Sequence, residues 1–263
     1  MSMEFFINEI IEEEDVKELL RTDKERNAKG KEYADLLMET GTCPAPEDDL
    51  LPLFILGYYT DLPLKLHRER GIPHEITVAC LKDVNLWIEN YRKTYGTVGL
   101  KEYDWERYHW RAEIFRIGRL QFRPLKARAT TPSGIDELEV HVPQGEPLTP
   151  EACEKSFAMA KEFFAKYYPE PSFDYFVCSS WLLSPQMPEI MPEDSNLTRF
   201  CRLWTIHTVK DKPSTAVLSR VFGFTKTYDD LPNLPEDTSM QRRTKAFLMN
   251  GGVFYDAAGY RKA

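Results

Sequence analysis

The sequence has no long hydrophobic run and no basic leader. No stretch reaches the roughly 18 consecutive apolar residues that a transmembrane helix requires. The first residues, MSMEFFINEIIEEED, contain neither a basic segment nor a cleavage site, so they do not predict a signal peptide. Hydrophobic residues still make up 42% of the 263 positions and aromatic residues 13%, which predicts a globular chain with a real core.

Paired cysteines and clustered histidines are also missing. The chain has five cysteines, an odd number, and no Cys-x-x-Cys motif. They are Cys43, Cys80, Cys153, Cys178 and Cys201. This spacing excludes a zinc ribbon and argues for reduced thiols in a cytoplasmic protein. The closest histidines, His67 and His74, are separated by a Gly-Ile-Pro break, so the sequence predicts no metal site.

Basic residues are fewer than acidic ones, 34 against 42, and the resulting net charge of −8 is unevenly placed. Residues 1–112 carry 15 basic against 23 acidic side chains, whereas residues 113–263 carry 19 of each. An acidic first half argues against nucleic-acid binding, which requires a broad basic face. The local exception is RIGRLQFRPLKARA, which includes Arg119 and Arg128. Its charges either hold the phosphates of a nucleotide-like cofactor or balance the acidic half.

The first half of the chain predicts helices. Spaced apolar residues predict one helix over 13–40, with Asp15 as its N-cap, followed by a linker at 40–49. The apolar run at 50–60 predicts a buried helix, and the stripe over 71–96 predicts another that ends at Gly96. These elements predict an all-helical domain over residues 1–111.

The second half alternates strands and helices. Alternating residues predict strands over 112–122 and 135–143, separated by a Pro-Ser-Gly turn. Thr149 and Pro150 predict the start of a helix that runs to about 168. Further strands are predicted at 172–180, 205–210 and 253–256, with helices at 214–223 and 238–252. The fold class is therefore α+β, with a mixed α/β domain over 112–263.

The stretch CSSWLLSP contains the first candidate for chemistry. Cys178 is either a nucleophile activated by His141 or His207, or a small buried hydrophobe at the end of an aromatic strand. The serines lack the flanking glycines of a nucleophile elbow. A Cys–His hydrolase would require Cys178 to be a reactive thiol of low pKa.

Two further positions each have a functional and a structural interpretation. His141 ends a strand before VPQG, where it acts as a base or anion ligand, or is a satisfied structural histidine. Ser195 or Asn196 opens a helix, either as a simple N-cap or as part of a site that binds phosphate or a thioester oxygen.

Several of these segments together resemble a bacterial acyltransferase-like family. They are RIGRLQF, VHVPQGEPLTPEACEKSFAMAKEFFAKYYPE, CSSWLLSPQMPEIMPEDSNLTRF and GGVFYD. That family pairs a helical N-terminal domain with a GNAT-like C-terminal domain. The resemblance is strong over residues 110–263 and looser over the helical half. It implies acyl transfer from acyl-CoA, bound at a splayed pair of strands, to an amine.

The resemblance also implies which residues form the site. The matching positions are Arg119, Gln121, His141, Ser179, Ser180, Trp181, Ser195 and Asn196. It implies that His141 is the base and that Ser180 and Asn196 donate hydrogen bonds in catalysis. The remaining positions are expected to bind the cofactor, acyl-CoA or CoA, with Arg119 near phosphate; no metal is expected.

One feature of GNAT enzymes is absent from the sequence. They hold the pyrophosphate in a Gln/Arg-x-x-Gly-x-Gly/Ala loop, and here VPQGEPLT and RVFGFTK have one glycine each. The alternative function is therefore a non-catalytic binding or scaffold protein that retains a GNAT-like fold. The acyl group, the amine and the oligomeric state are left open by the sequence.

Overall fold

The structure, a computed structural model, describes residues 2–126, 136–170 and 173–263. Arg128, Ile135 and the predicted Pro-Ser-Gly turn at 132–134 lie outside these ranges. The chain divides into two compact units, Met1–Arg116 and Ile117–Ala263. The division falls a few residues after the boundary at 111/112 that the sequence predicts. No helix in the described ranges is both long and apolar enough to cross a membrane.

The first unit is helical, as predicted. Its α-helices are α1 Ser2–Phe5, α2 Glu14–Thr22, α3 Lys24–Thr40, α4 Leu51–Tyr59, α5 Asp61–Glu69, α6 His74–Leu81, α7 Asp83–Tyr95 and α8 Tyr103–Trp110. A π-helical turn, Phe6–Ile10, follows α1 directly. Helix α4 forms the centre, since almost every one of its side chains is buried. Helix α3 approaches α4 so closely that a Cβ on Gly30 would lie 2.5 Å from the Cβ of Phe54.

Two long helices predicted from the sequence are each broken. The predicted helix over 13–40 becomes α2 and α3, because Asp23 leaves the helical conformation and its carboxylate accepts a hydrogen bond from the Arg26 amide at 3.0 Å. Asp15 lies inside α2 and is not its N-cap. The predicted helix over 71–96 divides at Lys82 into α6 and α7. Helices α5 and α8 were not predicted, because charged residues interrupt their apolar pattern.

The second unit contains a six-stranded mixed sheet, whose first strand begins two residues before the boundary between the units. The strands are β1 Phe115–Ile117, β2 Leu120–Leu125, β3 Glu137–His141, β4 Tyr175–Ser180, β5 Thr205–Pro213 and β6 Tyr255–Lys262. They follow the order β1-β2-β3-β4-β6-β5. Strand β3 is antiparallel to β2 and parallel to β4, and β6 is antiparallel to both β4 and β5. The predicted α+β class is thus confirmed.

The helices of the second unit lie between these strands in the chain. They are α9 Pro150–Tyr167, α10 Met187–Ile190, α11 Asn196–Cys201, α12 Ala216–Phe222 and α13 Ser239–Met249. Two 3₁₀ turns, Trp181–Leu183 and Tyr228–Asn233, complete the described elements. Helix α9 begins as predicted, because the Thr149 hydroxyl accepts a hydrogen bond from the Ala152 amide at 3.2 Å and Pro150 is the first helical residue.

The strand predicted over 112–122 is two strands joined by a tight turn. Gly118 has φ +64°, a conformation that favours glycine, and a Cβ there would lie 2.7 Å from Ser156 Oγ. The amide of the next residue, Arg119, donates to the same Ser156 Oγ at 2.7 Å. The turn is thereby attached to α9. The last strand is longer than predicted, because Ala257, Ala258 and Gly259 continue the ladder beyond VFYD.

His67 is a buried histidine in the helical unit. It is 1% exposed, its Nδ1 lies 2.8 Å from Thr77 Oγ1, and its ring stacks on Phe115 with centroids 5.5 Å apart. Burial lowers the pKa of His67 to about 4. The imidazole is therefore neutral at pH 7.

This depressed pKa predicts that the protein loses stability in mild acid. In the unfolded chain a histidine has a pKa of about 6.5, so the stabilisation is complete above that pH and declines as the pH falls towards 4. The loss at the acid end is about 3 kcal/mol. Urea unfolding between about pH 7 and pH 5 should show a weaker pH dependence in His67→Gln than in the wild-type protein.

The exposed His74 offers the matched control. His74→Gln should retain the wild-type pH dependence. An identical dependence in the wild type and in His67→Gln would show that His67 is not the titrating group.

Candidate active site

Strands β3 and β4 separate at their carboxyl ends. Among the described residues, their parallel ladder consists of three residue pairs. The last of these pairs is Glu139 with Val177. Beyond that pair, each strand remains paired only with the strand on its other side. His141 of β3 pairs with Gln121 of β2, and Ser179 of β4 pairs with Ala258 of β6. The backbone edges of the two strands therefore face each other across a gap without a ladder between them.

Three of the predicted site residues lie in one row across this gap. Continuing the register of the parallel ladder would set His141 opposite Ser179. Gln121 is the ladder partner of His141 on the other side. Laterally paired residues share a face of the sheet. The structure thus places Gln121, His141 and Ser179 on one face at the gap.

The other face of these strands is the hydrophobic core. Phe122, Val140 and Phe176 alternate with the polar row and are buried. Phe157 of α9 packs between the two phenylalanines, with ring centroids 6.1 Å from Phe122 and 4.8 Å from Phe176. The polar row consequently lies on the face opposite α9.

A carboxylate that the sequence analysis missed stands next to His141. Glu139 Oε2 lies 3.1 Å from His141 Nε2 and 3.8 Å from Arg123 Nη1. Glu139 and Arg123 are direct ladder partners, two residues before His141 and two after Gln121 in their strands. The signal was present in the alternation of ELEVH, where the polar residues fall on the face of His141.

Arg119 holds the loop that follows His141. Its Nε donates to the carbonyl oxygen of Glu146 at 2.8 Å and its Nη1 to that of Pro143 at 2.9 Å. The side chain is 6% exposed. The loop leads directly into the N-terminus of α9 and includes Gly145 at φ +118°. In the structure the Arg119 side chain binds the backbone of this loop, and a contact between Arg119 and phosphate stays a prediction.

The end of β4 has both buried and capping side chains. Cys178 is 2% exposed, and burial raises the pKa of its thiol well above the usual range. Such a thiol is not a nucleophile, which argues against the Cys–His hydrolase. Ser180 Oγ accepts from the Leu182 amide at 3.1 Å and caps the 3₁₀ turn. Trp181 packs against a hydrophobic cluster that includes Met187 and Phe254.

Ser195 and Asn196 lie at the start of α11, outside the row at the gap. Ser195 Oγ accepts from the Thr198 amide at 3.2 Å, so the capping interpretation holds for this residue. One turn further, Arg199 Nη2 lies 3.5 Å from a carboxylate oxygen of Glu151 in the first turn of α9. The last turn of α11 is therefore close to the start of α9, and the roles of Ser195 and Asn196 stay predictions.

A buried polar cluster in the helical unit offers metal-ligating atoms. Those of Asp83, Glu106 and His109 lie within 4.8 Å of one another. Burial acts to raise the pKa of Asp83, but its contacts with His109, Trp105 and Trp87 lower it below the usual range. Burial and the Asp83 charge raise the pKa of Glu106 well above its usual range, so Glu106 is a neutral acid. These contacts are those of a buried polar network in the helical core.

Family models cover almost the whole chain. The model of the N-acyltransferase N-terminal domain matches residues 4–112, and that of the GNAT-like C-terminal domain matches residues 114–261. No curated protein has a significant sequence match to the chain.

Crystal structures of acyltransferases are similar to the chain over almost its full length. One, an acyltransferase mutant in complex with octanoyl-CoA, has a TM-score of 0.83 and 26% identity, and the match covers 99% of this chain and 87% of that one. Another, an acyltransferase in complex with decanoyl-CoA and teicoplanin, has a TM-score of 0.82, 27% identity and the same coverage.

A third, in complex with CoA and 10C-teicoplanin, also has a TM-score of 0.82, with 26% identity. The expected resemblance is confirmed on both halves of the sequence. The chain belongs to the acyltransferase family that joins an N-acyltransferase N-terminal domain to a GNAT-like C-terminal domain.

Proposed function

We propose that this protein transfers an acyl group from acyl-CoA to an amine. The observation that carries this proposal is the gap between β3 and β4, where the parallel ladder stops after Glu139 and Val177 while both strands continue. Membership of the acyltransferase family supports the proposal, because family models match the sequences of both domains.

The gap suits the pantetheine arm of CoA. That arm is narrow and carries two amide groups, whose N–H and C=O can hydrogen-bond to exposed strand edges as another strand would. On the face of the polar row, the β6 partner of Ser179 is Ala258, whose side chain is a single methyl group. A ligand that lies over β4 on this face meets little steric obstruction from that residue.

The donor is proposed to carry a medium-length acyl chain. Similar acyltransferases above 25% identity were crystallised with octanoyl-CoA and with decanoyl-CoA. Teicoplanin is present in one of those complexes, but it is a ligand of that protein and does not identify the acceptor of this chain. The acceptor is specified only by the chemistry, as an amine.

The reaction requires an amine nitrogen to attack the thioester carbonyl. A C–N bond forms, the C–S bond breaks, and the amine proton must leave as the CoA thiolate departs. His141, at the end of β3, is the proposed base for that proton. Ser179, Ser180 and Asn196 are proposed donors to the substrate or to the carbonyl oxygen, where hydrogen bonds stabilise developing negative charge.

The loop after β3 is proposed to bind the CoA phosphates. It precedes the N-terminus of α9, where amide groups and the helix dipole favour an anion. Arg119 fixes this loop through the carbonyl oxygens of Pro143 and Glu146. The positive charge of Arg119 therefore lies next to the loop backbone. There it would favour a bound phosphate without contacting the phosphate directly.

A thermal-shift panel with CoA, acetyl-CoA, octanoyl-CoA and decanoyl-CoA tests the function. A ligand at about a hundred times its Kd stabilises a protein by about 2.7 kcal/mol. For a chain of this size the melting temperature should rise by roughly 5–10 °C, and most with the medium-chain donors. No shift with any of the four at millimolar concentration would favour the non-catalytic binding protein.

His141→Ala should abolish turnover but keep the fold. Acyl transfer to a panel of primary amines, followed by release of free CoA thiol, should fall by about 10²–10⁴-fold. The melting temperature and the shift caused by acyl-CoA should change little, because His141 is half-buried at a strand end. Unchanged turnover in this variant would remove His141 from the mechanism.

Arg119→Gln should weaken CoA binding by loosening the loop. Losing the two guanidinium hydrogen bonds should raise the Kd for CoA about tenfold, equivalent to about 1.4 kcal/mol. Hydrogen exchange of the backbone amides of residues 144–146 should accelerate in the same variant. Lys126→Gln, which removes an exposed charge from the end of the same segment, is the control and should alter neither quantity.

A further inference from the structure

The carboxylate beside His141 is part of a short charged series on one face of β2 and β3. Arg123 Nη1 lies 3.8 Å from Glu139 Oε2, and the same oxygen lies 3.1 Å from His141 Nε2. The Glu139 side chain is 16% exposed and that of His141 is 28% exposed. The contact is therefore largely sheltered from water and is screened less than a surface pair.

We propose that Glu139 is a positioning residue that fixes the tautomer of His141. A glutamate carboxyl group is ordinarily ionised at pH 7 and then only accepts hydrogen bonds, so the contact at 3.1 Å places the proton on Nε2. The neutral ring then has its lone pair on Nδ1, which becomes the basic nitrogen. The catalytic role of this pair rests on the proposed acyl transfer. In that reaction Nδ1 would take the amine proton, and Glu139 would stabilise the resulting imidazolium.

The arrangement of the strands holds this pair in place. Glu139 and His141 are two residues apart on one strand, so they share a face without any loop between them. Arg123 and Gln121 stand opposite them in the β2 ladder. Positioning by two packed strands is more exact than positioning by loops, which suits a group that orients another.

Nitrogen NMR on histidine-labelled protein tests the tautomer without any turnover. His141→Gln assigns the signals, because one of the five histidines disappears from the spectrum. The wild-type protein should show a protonated Nε2 and an unprotonated Nδ1 for the neutral ring. In Glu139→Gln the signals should move towards a mixture of the two tautomers, since an amide both accepts and donates. A protonated Nδ1 in the wild-type protein, or signals that Glu139→Gln leaves unchanged, would overturn the proposal.

Kinetics then test the role in catalysis. Glu139→Gln should lower kcat by roughly 10²-fold and leave the KM for acyl-CoA within about twofold, while Glu139→Asp recovers part of the loss because it keeps the charge. Glu162→Gln, on an exposed position of α9, removes the same charge away from the site. It should change neither the NMR signals nor kcat.

The combined outcomes separate this proposal from the acyl-transfer function. If the wild-type tautomer is as expected but no acyl-CoA is turned over, the proposed function fails while the role of Glu139 towards His141 stands. If the wild type is active and His141→Gln remains active while Glu139→Gln does not, Glu139 is itself the base, and the positioning proposal is wrong.

Discussion

The second unit depends on one parallel strand pair, β3 with β4, in a sheet whose β2–β3, β4–β6 and β5–β6 pairs are antiparallel. Parallel strands cannot be joined by a tight turn, so β3 and β4 require a crossover, and α9 provides it. Phe157 of α9 packs on Phe122 of β2 and Phe176 of β4, which fixes the helix over this part of the sheet. The crossover also brings the start of α9 to the carboxyl ends of both strands, where the gap opens.

The same two-residue period produces both the core and the candidate site. Leu138 and Val140 of β3 face the core, while Glu139 and His141 face the opposite way. A shift of register by one residue would exchange these faces and bury the charges against α9. The hydrophobic face therefore specifies the positions of Glu139 and His141, because burying charges without partners would cost several kcal/mol.

Much of the fold could be predicted from local signals, and the failures have identifiable causes. The start of α9 was predicted correctly because Thr149 and Pro150 act within one helical turn. The break at Asp23 was missed because the apolar spacing continues across it, and only the capping contact distinguishes two helices from one. His141 and Gln121 are each predicted as site residues, but that they are neighbours depends on the register between β2 and β3, which no local pattern in the sequence specifies. Glu139 was overlooked because a charged residue in a strand commonly faces solvent.

The loop after β3, proposed above to bind phosphate, differs from the glycine-rich pattern of GNAT enzymes. A glycine loop aims its amides at phosphate because the backbone can adopt unusual conformations. Here the Arg119 guanidinium draws the carbonyl of Pro143 towards itself. Because the peptide group is planar and trans, the amide of the following residue points away from Arg119. The buried Arg119 thus has two effects on the loop: it orients the backbone and it supplies positive charge. Glycines supply only conformational freedom. The single Gly145 is then sufficient for the turn, and the missing glycines are weak evidence against a phosphate-binding loop.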